Sequence, residues 1–397
     1  MSSSSLFEEK EKGGLNQESF EDPIVQPTLA TLLKSFLRVG AAGFGGGMAI
    51  IALMEQEIVR KLRSMSAEDF VAGVALSQFL GAFPVNTAVF VGYRLFGLVG
   101  AFLSAGVFLL PSVVLVVILS AIYFHLHAVP ALGSVVAGLT PVVIALIMNA
   151  AWSLGRKVMR TWRGISISTA ALVAGVLQVP PVWILLLAGV AGLFIREGAA
   201  GQTAVPSKDA ETSRRHAIQV LLPFASKVPF LSWTFFKTGL LFFGGGFVLI
   251  PLLRSEIVSQ LGWLTDKEFL DGIAISSLTP GPIAVIATFV GYKQGGVSGA
   301  IASTAALFLP GTVLMIWISH GYGRFRSSTL LHRILAGVNP GTVGLIASAA
   351  VLLGKQSLVS LPTILFAVLA LFLLARLRWH PAFVLGLGAL FGYFRIY

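Results

Sequence analysis

The amino-acid sequence predicts an all-α integral membrane protein built from two homologous helical domains in inverted topology. It further predicts broken or re-entrant helices and about 10–13 membrane segments. Three observations carry this. The 397-residue chain is 56% hydrophobic and only 11% charged, against about 25% charged residues in a soluble domain. Apolar runs of the roughly 20 residues that cross a bilayer as a helix recur along it, and Ala101 to Tyr123 carries no charge at all. Finally, the first half of the chain is repeated in the second.

Residues 1–28 are polar and acidic (Glu8, Glu9, Glu11, Glu18, Glu21, Asp22). They read as a disordered tail, because no apolar core follows a basic start as it would in a signal peptide. The first membrane domain spans residues 29–196, a polar linker residues 197–230, and the second domain residues 231–397. Ser35 to Ser112 aligns without a gap onto Thr234 to Gly311 at a shift of 199, with about a third of positions identical. Phe44-Gly45-Gly46-Gly47 meets Phe243-Gly244-Gly245-Gly246, Glu57-Ile58-Val59 meets Glu256-Ile257-Val258, and Val91-Gly92-Tyr93 meets Val290-Gly291-Tyr292. A repeat of this length is a duplicated domain.

Each half opens with an apolar stretch interrupted by the triple glycine (Leu29 to Val59; Leu231 to Val258). A second stretch is interrupted near a proline (Phe70 to Tyr93 through Pro84; Phe269 to Tyr292 through Pro280-Gly281-Pro282). An unbroken span follows (Leu98 to Phe124; Val297 to Tyr322), and then three further segments, of which the one at Ile165 to Leu177 is short for a crossing. Breaks in membrane helices are tolerated where the freed backbone groups face protein or water. At matching places in two halves they point to a transporter's substrate site. Close helix packing on the glycines is the alternative reading.

Charge sets orientation and excludes several functions. The net charge of +11 reflects Lys and Arg at segment ends, where they set topology rather than bind nucleic acid. In the first half the basic cluster lies in a later loop (Arg156, Lys157, Arg160, Arg163). In the second it lies in the preceding loop (Arg324, Arg326, Arg333). Equivalent loops therefore face opposite sides, which demands an odd number of crossings between equivalent points. All 17 acidic residues fall in four clusters, with none between Val71 and Ile195 or after Asp271. Cation pumps and channels need carboxylates within the membrane, so the balance favours an anionic substrate. No catalytic or metal-binding spacing occurs and there is no cysteine, so no enzyme, cofactor or metal site is expected. A lipid-acting membrane enzyme is the rival class.

Taken together, Phe-Gly-Gly-Gly, the following Glu-Ile-Val, Thr279-Pro280-Gly281-Pro282-Ile283-Ala284, Phe289-Val290-Gly291-Tyr292 and Phe308-Leu309-Pro310 resemble the chromate ion transporter family in its long-chain, two-domain form. The resemblance implies efflux or exchange of chromate, with sulfate as a related substrate, driven by the proton-motive force across a bacterial-type inner membrane. The N-terminal tail would be cytoplasmic, and a homodimer is left open. An exporter or channel for another anion is the alternative. The chain departs from the family pattern in its first half, where Leu80-Gly81-Ala82-Phe83-Pro84-Val85-Asn86 replaces a Pro-Gly-Pro run.

A tetrahedral dianion in a low-dielectric site needs about two charges offset, and helix N-termini offer oriented N–H groups and a positive dipole end. The breaks at Gly45, Gly46 and Gly47, at Gly244, Gly245 and Gly246, and at Pro280, Gly281 and Pro282 are the backbone candidates. Ser77, Gln78, Asn86, Ser276, Ser277 and Thr279 flank them as side-chain donors. For the hydroxyls the alternative is a bond to the carbonyl one turn back. Arg38 and Lys237, equivalent in the two halves and inside apolar segments, are candidates for formal charge. Arg94 and Lys293 read as site or interfacial anchor. Glu57 and Glu256, the carboxylates identical in both halves, either carry a coupling proton or pair with Arg60 and Arg254.

Overall fold

The computed structural model describes residues 26–44, 47–125, 130–158, 161–193, 227–242, 246–320 and 329–394, and these form a helical fold. The N-terminal tail and most of the linker lie outside the described residues. In the first half, α1 (Leu29–Ala42) is capped by Thr28, whose hydroxyl accepts from Thr31 N. After the glycine break, α2 (Gly47–Glu55) runs into a π-helical stretch, Gln56–Lys61. Ser66 caps α3 (Ala67–Phe79), and α4 (Phe83–His125) follows the tip at Leu80 to Ala82.

The long α4 is two helices. Phe96 (φ −137°) and Gly97 (φ 62°) leave helical geometry, and glycine takes the left-handed backbone there without strain. The chain folds back on itself, since a Cβ on Gly92 would collide with the carbonyl of Gly100. The 83–95 leg also folds back on α3, with Gly73 against the ring of Phe90. Residues 67–95 are thus a re-entrant hairpin, and only 98–125 spans. Two 13-residue legs are too short to cross about 30 Å of hydrocarbon singly. The remaining helices of this half are α5 (Pro130–Val158), α6 (Trp162–Val176) and α7 (Pro181–Leu193).

The second half repeats the plan. After α8 (Lys227–Leu240), the helical stretch Gly246–Gln260 contains α9 (Leu249–Leu253). A full capping box between Thr265 and Glu268 starts α10 (Asp266–Leu278). Then α11 (Ile286–His320) breaks at Gly295 and Gly296, and Gly272 against Phe289 and Gly291 against Gly299 reproduce both fold-backs. Last come α12 (Thr329–Ser357), α13 (Leu361–Ala375) and α14 (Pro381–Phe394).

The halves interlock. Hairpin α6–α7 packs on α12, where Gly175 meets Ser348 and Gly192 meets Gly337. The α13–α14 pair packs on α5, where Gly138 meets the backbone of Gly388 and Gly392. Small residues let these backbones touch, which is how membrane helices associate without a hydrophobic drive. Among the described residues, four helices are long and apolar enough to cross a membrane: Phe83–His125, Ala137–Arg156, Ile283–His320 and Ala336–Lys355. The segments counted in the sequence resolve into these spans and paired short helices.

Contacts between halves also give relative direction. The span 98–125 starts beside the base of its own re-entrant hairpin and ends beside the base of the other, where Tyr123 bonds Asp271 and Phe124 stacks on Tyr292. The span 297–320 runs the opposite way and ends where Tyr93 meets His320 at 3.3 Å. Equivalent helices are therefore antiparallel, and the halves are inverted. Among the described basic residues, Arg156, Arg163 and Arg333 fall at one face. Gly192 abuts Gly337 near that face, whereas Val228 abuts Gly295 at the opposite one. The residues between Leu193 and Lys227 lie outside the described residues.

Candidate functional site

The breaks in the helices meet in the middle of the molecule. Each hairpin tip bonds the backbone at the opposite half's first break: Gly81 N donates to Phe242 O at 2.8 Å, and Gly281 N donates to Gly43 O at 2.9 Å. The Ser112 hydroxyl donates to Pro280 O, tying the first half's span to the second half's tip. Gly281 has φ 108°, a backbone for which side chains are poorly suited, and a Cβ there would collide with Ser112 Oγ. This pseudo-reciprocal pairing holds both halves around one space.

That space is a cavity of about 170 Å³, room for several waters or for a tetrahedral oxyanion with part of its hydration shell. Gly43, Phe44, Gly47, Gly81, Phe83 and Pro84 line it from the first half; Phe242, Gly246, Phe247, Thr279, Gly281 and Ile283 face them from the second. Four helical stretches start at the wall, at Gly47, Phe83, Gly246 and Ile283. Each N-terminus presents roughly half a positive charge, so four together supply about the two charges a dianion requires. Phenyl rings in the wall lower the local dielectric, so those dipoles are screened less than in water.

Ser276 and Ser277 join Thr279 in the lining. Their hydroxyls donate to Gly272 O, Ile273 O and Ser276 O respectively. The local bond of the alternative reading is therefore made, and rotation of the hydroxyl is needed before any of them can donate to a ligand. Gly47, Gly246, Gly281 and Pro282 line the cavity, whereas Pro280 does not, and its carbonyl accepts from Ser112. Gly45, Gly46, Gly244 and Gly245 lie outside the described residues. Ser77 is buried away from the lining, donating to Gly73 O, and Gln78 is exposed. Asn86 is 2% exposed beside Gly311 and its Nδ2 has no hydrogen-bond partner.

The cationic candidates are placed differently from the expectation. Neither Arg38 nor Lys237 lines the cavity. The Lys237 ammonium donates to Glu256 Oε1 at 2.8 Å, because the hairpin fold brings together residues 19 apart in sequence. Arg38 is exposed and has no ion pair among the described residues. Glu57 pairs with Lys61, not Arg60, which reaches Glu55 at 3.1 Å; Arg254 pairs with Asp266 at 2.8 Å, not with Glu256. At the hairpin bases Arg94 meets Asp69 at 3.7 Å and Lys293 meets Glu268, so these two cations clasp the legs together.

Among the described residues, His380 is the one ionisable side chain in the lining. Its Nδ1 accepts from Ala382 N at 3.3 Å, capping α14 and leaving Nε2 to carry the proton as a donor. Sequence reasoning missed it because its equivalent in the first half is Pro180, so the repeat did not single it out. The aromatic walls, Phe44, Phe83, Phe242 and Phe247, were likewise indistinguishable from lipid-facing residues.

The family model described as "Chromate transporter" matches the chain twice, over residues 30–193 and 230–393. A chromate transport protein of Cupriavidus metallidurans is 30% identical over 364 residues, covering 88% of this chain and 89% of that protein. A chromate transport protein of Pseudomonas aeruginosa is 31% identical over 369 residues, covering 87% and 85%. An uncharacterised transporter of Methanocaldococcus jannaschii is 28% identical over 381 residues, covering 92% and 94%. No solved structure matches.

Proposed function

The chain belongs to the chromate transporter family, and from that premise we propose that it exports chromate from the cytoplasm across the inner membrane, coupled to the proton-motive force. The observation that carries the reading is the cavity between the halves, walled by four helix starts and with no carboxylate among its described lining residues. An anion enters a site whose charge comes from backbone dipoles, which recognise charge and tetrahedral shape. Sulfate has the same shape and charge and is the expected exchange partner or competitor. Because equivalent helices run antiparallel, the cavity can open to either face by rocking one half against the other. The basic face supports a cytoplasmic N-terminal tail.

A channel or exporter for another anion is the second reading, favoured by the first half's tip. Leu80-Gly81-Ala82 stands where the second half has Thr279-Pro280-Gly281, so one side of the cavity lacks a hydroxyl. Uptake of radiolabelled chromate and sulfate into inverted vesicles, with and without an imposed proton gradient, separates the two. Export predicts chromate accumulation that the gradient accelerates and that excess sulfate reduces. Flux that only follows the chromate gradient would show a channel.

A further inference from the structure

Asp271 on α10 is 1% exposed. Its Oδ2 accepts a hydrogen bond from the Tyr123 hydroxyl at 2.7 Å, and its Oδ1 has no hydrogen-bond partner. Among the described residues no cation pairs with it. An ionised carboxylate is rarely kept buried in this way, because the protein interior cannot replace the water it loses. A carboxyl that accepts and gives up a proton explains both the burial and the orphan oxygen. Within a membrane such a group is a functional residue by default.

Its position supports a role in transport. One turn outward on the same helix, Glu268 holds Lys293 at the hairpin base. About one and a half turns inward, Ser276 and Ser277 line the cavity. The carboxyl thus sits between an aqueous face and the anion's space, on the re-entrant leg that bears the tip. The equivalent residue in the first half is Ala72, so among the described residues the repeat supplies no second such group. The two conserved-by-repeat carboxylates are poor rivals, since Glu57 holds Lys61 and Glu256 holds Lys237.

We propose that Asp271 is the residue at which the transporter takes up and releases the proton that moves against the anion. The inference rests on the coupled-export reading above and deepens it. The step is a simple protonation: a proton from water at the Glu268–Lys293 face binds Oδ1 to give the neutral acid, and returns to water when the hairpin moves. The titratable and charged groups around it are Lys267, Glu268 and Asp266 on its own helix, Tyr123 and His125 on α4, and Tyr292 and Lys293 on α11. The other elements packed on α10 bring Arg254 and Glu256, Arg156, Arg333, Lys355, His380 and Tyr393. None of these but Tyr123 bonds Asp271.

The test uses purified protein in liposomes containing a trapped pH-sensitive dye, with chromate added outside. Asp271→Asn, which keeps shape and cannot ionise, should bind chromate and exchange chromate for chromate as the wild type does. It should lose chromate-driven proton movement and lose the response of flux to a pH gradient. Asp271→Glu should restore coupling in part, and Tyr123→Phe should shift the pH profile of coupled flux. A pH-difference infrared spectrum should show a protonated-carboxyl band that Asp271→Asn removes, a readout independent of any transport. Proton movement retained in Asp271→Asn, or an unchanged carboxyl band, would overturn the proposal. If that band is lost in the variant but the wild type moves no oxyanion, the proton site stands and the export reading falls.

Discussion

At the scale of single residues, the site depends on backbone conformation more than on charge. Gly281 combines φ 108° with contact against Ser112. Gly281→Ala should destabilise the tip by about 1–2 kcal/mol from the left-handed backbone alone, with more from the collision. The expected outcome is a folded protein, checked by size-exclusion chromatography, with much weaker chromate binding. Unimpaired binding would remove the tip from the site. For Lys237, the hairpin supplies the partner that linear sequence hid. Lys237→Gln and Glu256→Gln should each lower thermal stability, and the double variant should lose less than their sum, with a coupling of about 0.5–1 kcal/mol for a partly exposed pair. Additive losses together with abolished chromate affinity in Lys237→Gln would return this lysine to the anion site. His380→Ala should weaken chromate binding while leaving the fold intact, since only one donor and one cap are lost. Unaltered affinity there would leave His380 as a cap alone.

At the scale of elements, broken or re-entrant helices were legible, but which breaks fold back was not. Triple glycines and Pro280-Gly281-Pro282 announce interrupted helices, because proline removes donors and glycine weakens the helix. Whether a chain passes straight through such a break or returns depends on contacts such as Gly73 with Phe90 and Gly92 with Gly100. Glycines at that spacing serve packing between separate helices equally well. The same limit explains the hydroxyls. Ser77 and Ser276 are equivalent in sequence, yet only Ser276 faces the cavity. Cysteine at Ser276 should therefore react with a small hydrophilic thiol reagent and be protected by chromate, whereas cysteine at Ser77 should stay unreactive. Equal reactivity at both positions would show that the first half's hairpin also opens to water.

At the scale of the whole molecule, inversion was readable from charge. The basic loops at 156–163 and 324–333 are not equivalent in the repeat, and a shared face for both requires antiparallel halves. The crossing count was not readable, because short legs such as α3 and α6 have the composition of spans without the length. Single cysteines replacing Val99 and Ser298, equivalent residues at the starts of the two spans, should be labelled by an impermeant reagent from opposite sides. Labelling from one side would make the halves parallel.

The central claim is that one oxyanion sits between the halves, held by helix starts from both. Chromium scatters X-rays anomalously, so diffraction from crystals grown with chromate locates the anion without assumption. The account predicts one anomalous peak inside the cavity, between Gly43, Gly47, Phe242, Gly246 and the two hairpin tips at Gly81 to Pro84 and Gly281 to Ile283. A peak instead beside Arg38, or at the Arg94 and Lys293 clasps with the cavity empty, would contradict it.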